Sequence, residues 1–273
     1  AYNLVDFTDV VSRETLQAVP YRQWFLRSVY RMEATRIRRY EKWIAEKADE
    51  CWVISQAEKD ILEAVGANGN IQVVPNGVDE RLFQNIDKMR VPGRINFLGH
   101  LEVFHNTDAV RFYCDDILPK VREELGDVVD FVVAGAGDLK AVQDLGGRDG
   151  VSLRGFIKNI AEFHAEASVF VAPLRFAAGT QNKVLQAMAV GTPCIVSPDV
   201  QRGLGAKIGK EVIVASTPDE WARETVRILN DDTLARKIGE AGRAYVQSRF
   251  SWDVVRSRMG AIEQSLASKS ADD

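Results

Sequence analysis

Residues 172–197 bring together the side chains of this chain that are best suited to bind an anion. Their sequence, APLRFAAGTQNKVLQAMAVGTPCIVS, predicts the end of a buried strand, a polar loop and a helix from 183 to 190. The free N–H groups and the positive dipole end at the start of such a helix favour an anion. Arg175 before the loop and Lys183 at the helix start add two cations, so we expect a phosphate-bearing ligand here.

The loop between that strand and that helix supplies further groups for such a ligand. Glycine lets a ligand approach the backbone closely, and hydroxyl and amide side chains donate hydrogen bonds. For Lys183 the alternative is a solvated lysine at a helix start, but its position beside the loop glycine favours ligand binding. The candidate ligand-binding residues of the loop are Gly179, Thr180, Gln181 and Asn182.

Short apolar runs alternate with helix-length amphipathic segments along the chain. This alternation predicts βαβ units, and therefore an α/β fold with parallel sheets. Strands are predicted within residues 4–11 and at 51–55, 71–74, 95–98, 128–134, 151–153, 169–173, 194–197 and 211–214. One or two helices are predicted within 20–48, and single helices at 56–65, 139–145, 157–167, 183–190, 219–230, 232–250 and 252–266. A further helix is predicted at 106–125, with an interruption at Pro119.

The predicted elements divide the chain into three parts. Residues 1–90 supply about three strands, which is half of a doubly wound sheet, whereas residues 91–250 supply a complete Rossmann-like domain. Residues 251–273 are expected to form a helix that returns to the first part and ends in a frayed polar tail from residue 268.

The composition is that of an ordinary globular protein, with 46% hydrophobic and 27% charged residues. A net charge of −4 argues against a nucleic-acid-binding protein. The three cysteines, Cys51, Cys114 and Cys194, are far apart and indicate reduced core thiols in place of disulfides or a zinc site. Reduced thiols favour a cytoplasmic location, and no apolar run has transmembrane length.

Three further loops are predicted at the carboxyl ends of strands, where open α/β sheets bind ligands. They span residues 99–105, 135–138 and 155–158, and each begins with a glycine. The Gly135–Ala136–Gly137 sequence partly matches a dinucleotide fingerprint, but the expected later acidic residue is missing, which argues against NAD. The alternative for this sequence is a tight strand-to-helix turn.

Five segments in order carry a resemblance to a known family. PNGVD at 75–79, FLGHL at 97–101, VVAGAGD at 132–138 and VSLRGFI at 151–157 precede the anion-binding stretch. Together they resemble the retaining family 4 nucleotide-sugar glycosyltransferases of GT-B fold, most closely bacterial exopolysaccharide sugar transferases, including those associated with exosortase loci. The resemblance implies two Rossmann-like domains, with a UDP- or GDP-sugar on the second and a glycan or lipid-linked acceptor on the first. It also implies transfer with retention, without a metal or cofactor. Proteins of this kind carry a further segment before the equivalent of Leu4, so we expect a fragment or a short relative.

The resemblance assigns roles to individual residues. Lys183, Arg175 and His105 would act on the diphosphate in catalysis, and Phe156 and Ile157 would pack the nucleobase. The other donor-binding residues would be Gly99, His100, Gly135, Gly137, Gly179, Thr180, Gln181, Asn182 and Gln186.

At four positions the chain departs from the family pattern. Gln186 and Ala178 stand where the family has glutamates, and His100 and His105 stand where many members have Arg and Lys. The two histidines are either diphosphate ligands or exposed loop residues. These departures leave a second hypothesis open, a non-catalytic nucleotide-sugar-binding or partner subunit.

The predicted first-domain helix, within residues 22–47, is rich in basic residues. A helical wheel places its apolar residues on one side and Arg27, Arg31, Arg38 and Lys42 on the other. An ordinary sheet-covering helix with a solvated basic face explains this pattern. The alternative is a surface helix, reaching from Arg22 to Lys47, that meets anionic lipid headgroups at the inner membrane face.

Two acidic residues, Asp6 and Asp9, lie near the end of the first predicted strand. They are expected to face the cleft, either in acceptor binding or as a strand-end cap.

Overall fold

The computed structural model describes residues 2–67, 69–84 and 89–269, with side chains as far as residue 262. Residues 270–273, most of the predicted frayed tail, lie outside the described residues. Within the described residues the chain folds into two separate parallel sheets flanked by helices, so the predicted α/β class is confirmed.

The first sheet has three strands in the order β1-β2-β3. They are β1 (Leu4–Phe7), β2 (Glu50–Val53) and β3 (Ile71–Val73). A small core of apolar side chains packs on this sheet, with Val53 and Leu62 fully buried.

The second sheet has six strands in the order β6-β5-β4-β7-β8-β9. All four residues of the strand at 169–172 are buried, as expected for a parallel strand covered by helices on both faces. The strands are β4 (Arg94–Leu98), β5 (Asp130–Ala134), β6 (Val151–Gly155), β7 (Val169–Ala172), β8 (Cys194–Val196) and β9 (Ile213–Val214).

Eleven helices of six or more residues lie within the described part of the chain. The first six are α1 (Val11–Ala18), α2 (Arg27–Lys47), α3 (Gln56–Ala64), α4 (Phe104–Phe112), α5 (Leu118–Leu125) and α6 (Ile160–Ala165). The others are α7 (Asn182–Val190), α8 (Pro198–Leu204), α9 (Pro218–Asn230), α10 (Asp232–Phe250) and α11 (Trp252–Lys269).

The structure differs from the helix predictions at three places. Helices α1 and α8 were not predicted; α8 carries Pro198 and is bounded by Gly205, residues that are also typical of loops. The predicted interruption at Pro119 is confirmed: residues 106–125 lie in two helices joined by a π turn just before Pro119, where a missing N–H disturbs the helical ladder. The segment predicted as a helix at 139–145 forms two short 3₁₀ turns.

Helix α2 buries only part of its predicted apolar side, while Arg27, Arg31 and Arg38 are exposed as predicted. Its buried residues are Ala34, Glu41 and Ala45, where two small side chains permit close packing. Glu41 accepts a hydrogen bond from the Ser12 backbone N–H at 3.0 Å. Of the apolar side chains predicted to cover the sheet, Met32 and Trp43 are each 53% accessible, whereas Ile44 packs against the core of the first sheet.

The chain returns to the first sheet after α10. The Val78 N–H donates to the Phe250 carbonyl at 2.7 Å, and the Trp252 indole fills the space that a Cβ on Gly77 would occupy. Among the described residues, no helix is long and apolar enough to cross a membrane. The three cysteines are free and buried, as predicted.

Candidate functional site

The second sheet has a topological switch point between β4 and β7. Strands β5 and β6 extend from one side of β4, whereas β7, β8 and β9 extend from the other. The loops after β4 and β7 therefore run in opposite directions and leave a crevice at the carboxyl edge. The predicted anion-binding loop, residues 173–181, leaves β7 at this edge.

Glycines pack the loops after β4 and β5 tightly together. A Cβ on Gly135, whose φ is 148°, would lie 1.6 Å from the Gly99 carbonyl oxygen. A Cβ on Gly137, whose φ is 94°, would lie 3.2 Å from the His100 ring. The structure thus brings Gly99, His100, Gly135 and Gly137 together, and the turn geometry accounts for the glycines without a dinucleotide.

Lys183 lies at the start of α7 and reaches across to α4. Its Nζ hydrogen-bonds the Asn106 side-chain oxygen, and Asn106 Nδ2 donates to the His100 carbonyl at 2.9 Å. The same Nζ lies 5.3 Å from the centre of the Phe97 ring on β4. The cation therefore stands between the loop after β4 and the N-terminus of α7.

Burial lowers the pKa of Lys183 to about 7. The amine hydrogen-bonds a neutral amide and has no carboxylate partner among the described residues. An anion at the start of α7 would restore the missing countercharge and favour the protonated amine. The free Lys183 is thus set up to take a proton when an anion binds.

Gln186 and Asn182 lie one turn apart on α7, on the side that carries Lys183. Gln186 is half-buried, and its side chain has no hydrogen bond within the described part of the chain. Asn182 accepts a hydrogen bond from Asn76 Nδ2 at 3.2 Å, which joins the turn after β3 to α7. The side chains of Asn182, Lys183 and Gln186 therefore share one face of the helix.

The structure does not bring Arg175 to Lys183. Arg175 Nε donates to Asp108 at 2.9 Å, and the guanidinium lies 4.4 Å from the centre of the Tyr21 ring. Asp108 and Asn106 are two residues apart on α4, so they face different sides of that helix. Arg175 is thus bound to a nearly buried carboxylate, away from the expected diphosphate position.

His105 also differs from the expected arrangement. Its Nδ1 lies 3.1 Å from Glu14 Oε1 on α1, and its ring meets the Phe176 ring edge-on. This hydrogen bond lowers the pKa of Glu14. His105 therefore links the two sheets, whereas His100 remains an exposed loop residue beside Gly137.

The polar groups of the loop after β7 form hydrogen bonds within the protein. The Gly179 N–H donates to Glu58 Oε1 at 2.8 Å, and the Thr180 hydroxyl donates to the Gly203 carbonyl at 2.9 Å. Gln181 Nε2 donates to the Ala178 carbonyl at 2.9 Å. The predicted ligand groups of Gly179, Thr180 and Gln181 thus hold the loop itself, and the first turn of α7 keeps its free N–H groups.

Phe156 and Ile157 follow β6 at the same edge of the sheet. Phe156 is 72% exposed, so it is not a core residue, and its ring is free to stack on a flat ligand. Ile157 packs against the small cluster formed by Val132, Ala134 and Phe163.

Two carboxylates beside the site come from segments next to the first sheet, Glu58 on α3 and Asp9 in the loop after β1. Glu58 is 2% exposed and also accepts from the Val10 N–H, and Asp9 lies against Gly179. Burial and the charges of Glu58 and Glu14 raise the pKa of Asp9 to about 6. Sequence reasoning considered Asp9 but missed Glu58, because the Ser55-x-x-Glu58 pattern indicates a local helix cap. Ser55 does cap α3, but the glutamate side chain reaches elsewhere.

Comparison with known families places these features among glycosyltransferases. The model of the family described as "Glycosyl transferases group 1" matches residues 92–231, and that of "Glycosyltransferase Family 4" matches residues 15–82. A lipopolysaccharide core biosynthesis mannosyltransferase of Rhizobium leguminosarum bv. viciae is 27% identical in an alignment of 246 positions that covers 83% of this chain and 67% of that protein. An uncharacterized glycosyltransferase of Methanocaldococcus jannaschii is 25% identical in an alignment of 233 positions that covers 77% of this chain and 57% of that protein.

Solved structures share the fold at lower sequence identity. Sucrose-phosphate synthase from Thermosynechococcus elongatus superposes with a TM-score of 0.75 and 20% identity, over 97% of this chain and 68% of that chain. Anabaena HepE, solved in complex with UDP and glucose, superposes with a TM-score of 0.71 and 13% identity, over 96% and 71%. These likenesses establish a GT-B-like pair of Rossmann-like sheets. The chain spans little more than half the length of its archaeal relative.

Proposed function

The chain belongs to the group 1 glycosyl transferases, and on this premise we propose that it binds a nucleotide-diphosphate sugar in the crevice between β4 and β7. The observation that carries the proposal is the half-buried Lys183 amine, which stands at the start of α7 beside the Gly99 and Gly135 loops. A cation next to a free helix N-terminus suits a diphosphate. The exposed Phe156 ring suits the nucleobase.

The proposed reaction transfers the sugar to a glycan or lipid-linked acceptor, with retention of configuration. Lys183 and the first N–H groups of α7 would stabilise the charge that develops on the leaving diphosphate. Such stabilisation does not require a metal, and we propose a metal-independent reaction. Among the described residues, no cluster of His, Cys, Asp or Glu has the arrangement of a metal site.

We propose UDP or GDP as the nucleotide and cell-surface glycan synthesis, such as exopolysaccharide synthesis, as the process. The Anabaena HepE structure holds UDP and glucose, which supports a uridine donor. The rhizobial relative is named as a lipopolysaccharide core mannosyltransferase, which supports a cell-surface product.

Peripheral binding to an anionic membrane is part of the proposal. The outer face of α2 carries Met32, Arg36, Arg39 and Trp43 at helical spacing, and all four are exposed. Aromatic and aliphatic side chains interleaved with arginines suit the headgroup region of an anionic bilayer. Such a face would hold the enzyme at a lipid-linked acceptor.

Calorimetric titration with UDP, GDP and their sugars tests the donor proposal. Donor binding followed by slow donor hydrolysis is the expected result, and weaker binding in Lys183→Met would assign it to the crevice. If neither nucleotide binds, the donor proposal is wrong.

A second candidate function is a non-catalytic nucleotide-sugar-binding subunit. One observation favours this function: the Glu58 carboxylate already accepts the Gly179 N–H of the candidate donor loop. In addition, Ala178 and Gln186 stand where the family has glutamates. Donor binding without turnover, unchanged by Gln186→Glu, would support this function. Turnover that Gln186→Glu increases would support the enzyme.

A further inference from the structure

A second cavity lies between the two sheets and is lined by three arginines. Its volume is about 260 Å³, and Arg202, Arg249 and Arg258 lie on its wall. They come from α8, α10 and α11, so residues far apart in sequence converge here. No Asp or Glu is among the described residues that line the cavity.

Two of these arginines have no carboxylate partner in the described part of the chain. Arg249 lies over the Tyr245 ring, with 5.3 Å between guanidinium and ring centre, and Arg258 has neither an ion pair nor a hydrogen bond there. Arg202 pairs with Asp199, which also accepts from Gln17 and lies 3.6 Å from Arg13. Like charges around one cavity repel each other, and an anion within it would relieve that repulsion.

The remaining walls also suit an anionic group. Ser55 and Gln56, at the N-terminus of the nine-residue helix α3, line the cavity. The Ser55 hydroxyl accepts the Glu58 N–H, whereas the first two N–H groups of the helix have no intrahelical acceptor. Ile54, Leu204 and Phe250 supply apolar wall. Apolar walls lower the local dielectric and strengthen the attraction between arginines and an anion.

The cavity shares a wall with the loop after β7. Gly203 and Ile54 line the cavity, and both pack against Gly179. A Cβ on Gly203 would lie only 2.0 Å from the Gly179 carbonyl oxygen. The Thr180 hydroxyl is bonded to the Gly203 carbonyl. A ligand group in this cavity is therefore separated from the proposed donor loop by one glycine.

From these observations we infer that the cavity binds the phosphate group of a phosphorylated acceptor. The assignment of the ligand as acceptor rests on the proposed function, whereas anion binding by the arginines does not. A sugar phosphate and a polyprenyl diphosphate share this chemistry. Arginine forks match phosphate oxygens in two-point hydrogen bonds.

The test titrates pyrophosphate into the Lys183→Met protein, in which the donor cation is gone. Binding that weakens at least about tenfold in an added Arg249→Gln/Arg258→Gln pair supports the inference. Arg256→Gln is the matched control, because Arg256 is on α11, pairs with Asp253 and does not line the cavity. Equal binding in the cavity variant and the control, with matching unfolding midpoints, would overturn the inference.

A separate UDP titration keeps this result distinct from the donor proposal. UDP binding should be weakened about 10- to 100-fold in Lys183→Met and retained in Arg249→Gln/Arg258→Gln, so each site can fail alone. Competition then identifies the phosphate source. Displacement of pyrophosphate by a hexose phosphate or by a polyprenyl diphosphate in detergent supports an acceptor site of that kind. Displacement by neither would overturn the acceptor assignment.

Discussion

Glu58 of helix α3, beside the first sheet, accepts the backbone N–H of Gly179 in the loop after β7 of the second sheet, at 2.8 Å. Its other oxygen accepts the Val10 N–H at 2.5 Å, so one carboxylate ties both loops that line the cleft. Glu58 is almost fully buried, and desolvation raises its pKa despite these two hydrogen bonds. The glutamate therefore fixes the position of the candidate donor loop relative to the first sheet.

Replacing Glu58 should destabilise the fold in proportion to the acceptors lost. Glu58→Ala leaves two buried N–H groups without a partner and should lower the free energy of unfolding by about 2–4 kcal/mol. Glu58→Gln keeps one acceptor and should cost less. Urea unfolding measures both, with Glu63→Ala as a control on the exposed side of α3. Equal losses in the Ala and Gln variants would contradict the two-bond role.

Anion binding at Lys183 should be linked to proton uptake. The free amine has a pKa of about 7, so at pH 8 most molecules carry a neutral lysine that must be protonated when a diphosphate binds. We expect the protein to take up close to one proton when it binds UDP at pH 8, and progressively less at lower pH. Affinity should fall as pH rises above 7. Calorimetry in two buffers of different ionisation enthalpy measures the uptake.

The variant Lys183→Met should abolish that uptake. It should also weaken UDP binding by about 10- to 100-fold at pH 6.5, because a hydrogen bond to a charged group contributes about that much. Lys120→Met, at an exposed ion pair with Asp219, is the control and should leave both unchanged. Proton uptake that persists in Lys183→Met would show that another group titrates.

Phe156→Ala should distinguish the contribution of the nucleobase to binding from that of the diphosphate. Loss of a stacking ring should weaken UDP binding by roughly tenfold, because base–aromatic stacking contributes about 1–3 kcal/mol. Pyrophosphate, which has no base, should bind the variant and the wild type equally. Ile208→Ala removes another exposed apolar side chain and serves as the control. Equal weakening of UDP and pyrophosphate would count against a base contact.

Asp9 should make the protein less stable above pH 6. Its pKa is about 6 in the folded chain, above the ordinary value of 3.8, so between those values the folded state holds a proton that the unfolded state has lost. Stability therefore falls as pH rises through this window. Asp9→Asn should remove the slope and raise the free energy of unfolding at pH 7.5 by about 1 kcal/mol, after allowance for solvent screening. Asp6→Asn, at an exposed position on β1, is the control.

The outer face of α2 should bind anionic vesicles. Arg36→Gln/Arg39→Gln should reduce vesicle affinity by roughly 30-fold, since each basic residue at the surface contributes about 1 kcal/mol. Trp43→Ala should reduce binding to anionic vesicles, but the variant should still bind anionic vesicles better than neutral ones. Flotation measures both, and an Arg223→Gln/Lys120→Gln pair on α9 and α5 is the charge-matched control. Equal flotation with neutral and anionic lipid would contradict the membrane proposal.

The sequence by itself determined the α/β class, the parallel strands and the helix at 182–190. These depend on local signals: apolar runs such as the one ending at Ala172, the polar residues at Gln181 and Asn182, and Gly191 in its left-handed C-cap with φ 91°. Each signal acts within a few residues, so one chain suffices to detect it.

Only the tertiary structure decided which polar groups face the candidate ligand site. Arg175 and Lys183 are eight residues apart, yet α4 separates them, because Asp108 and Asn106 face different sides of one helix. Glu58 is 121 residues from Gly179, and Met32 is exposed because α2 packs through its alanines. The reason is physical: a side chain's partners depend on packing between distant segments, and that packing leaves no local pattern in the sequence.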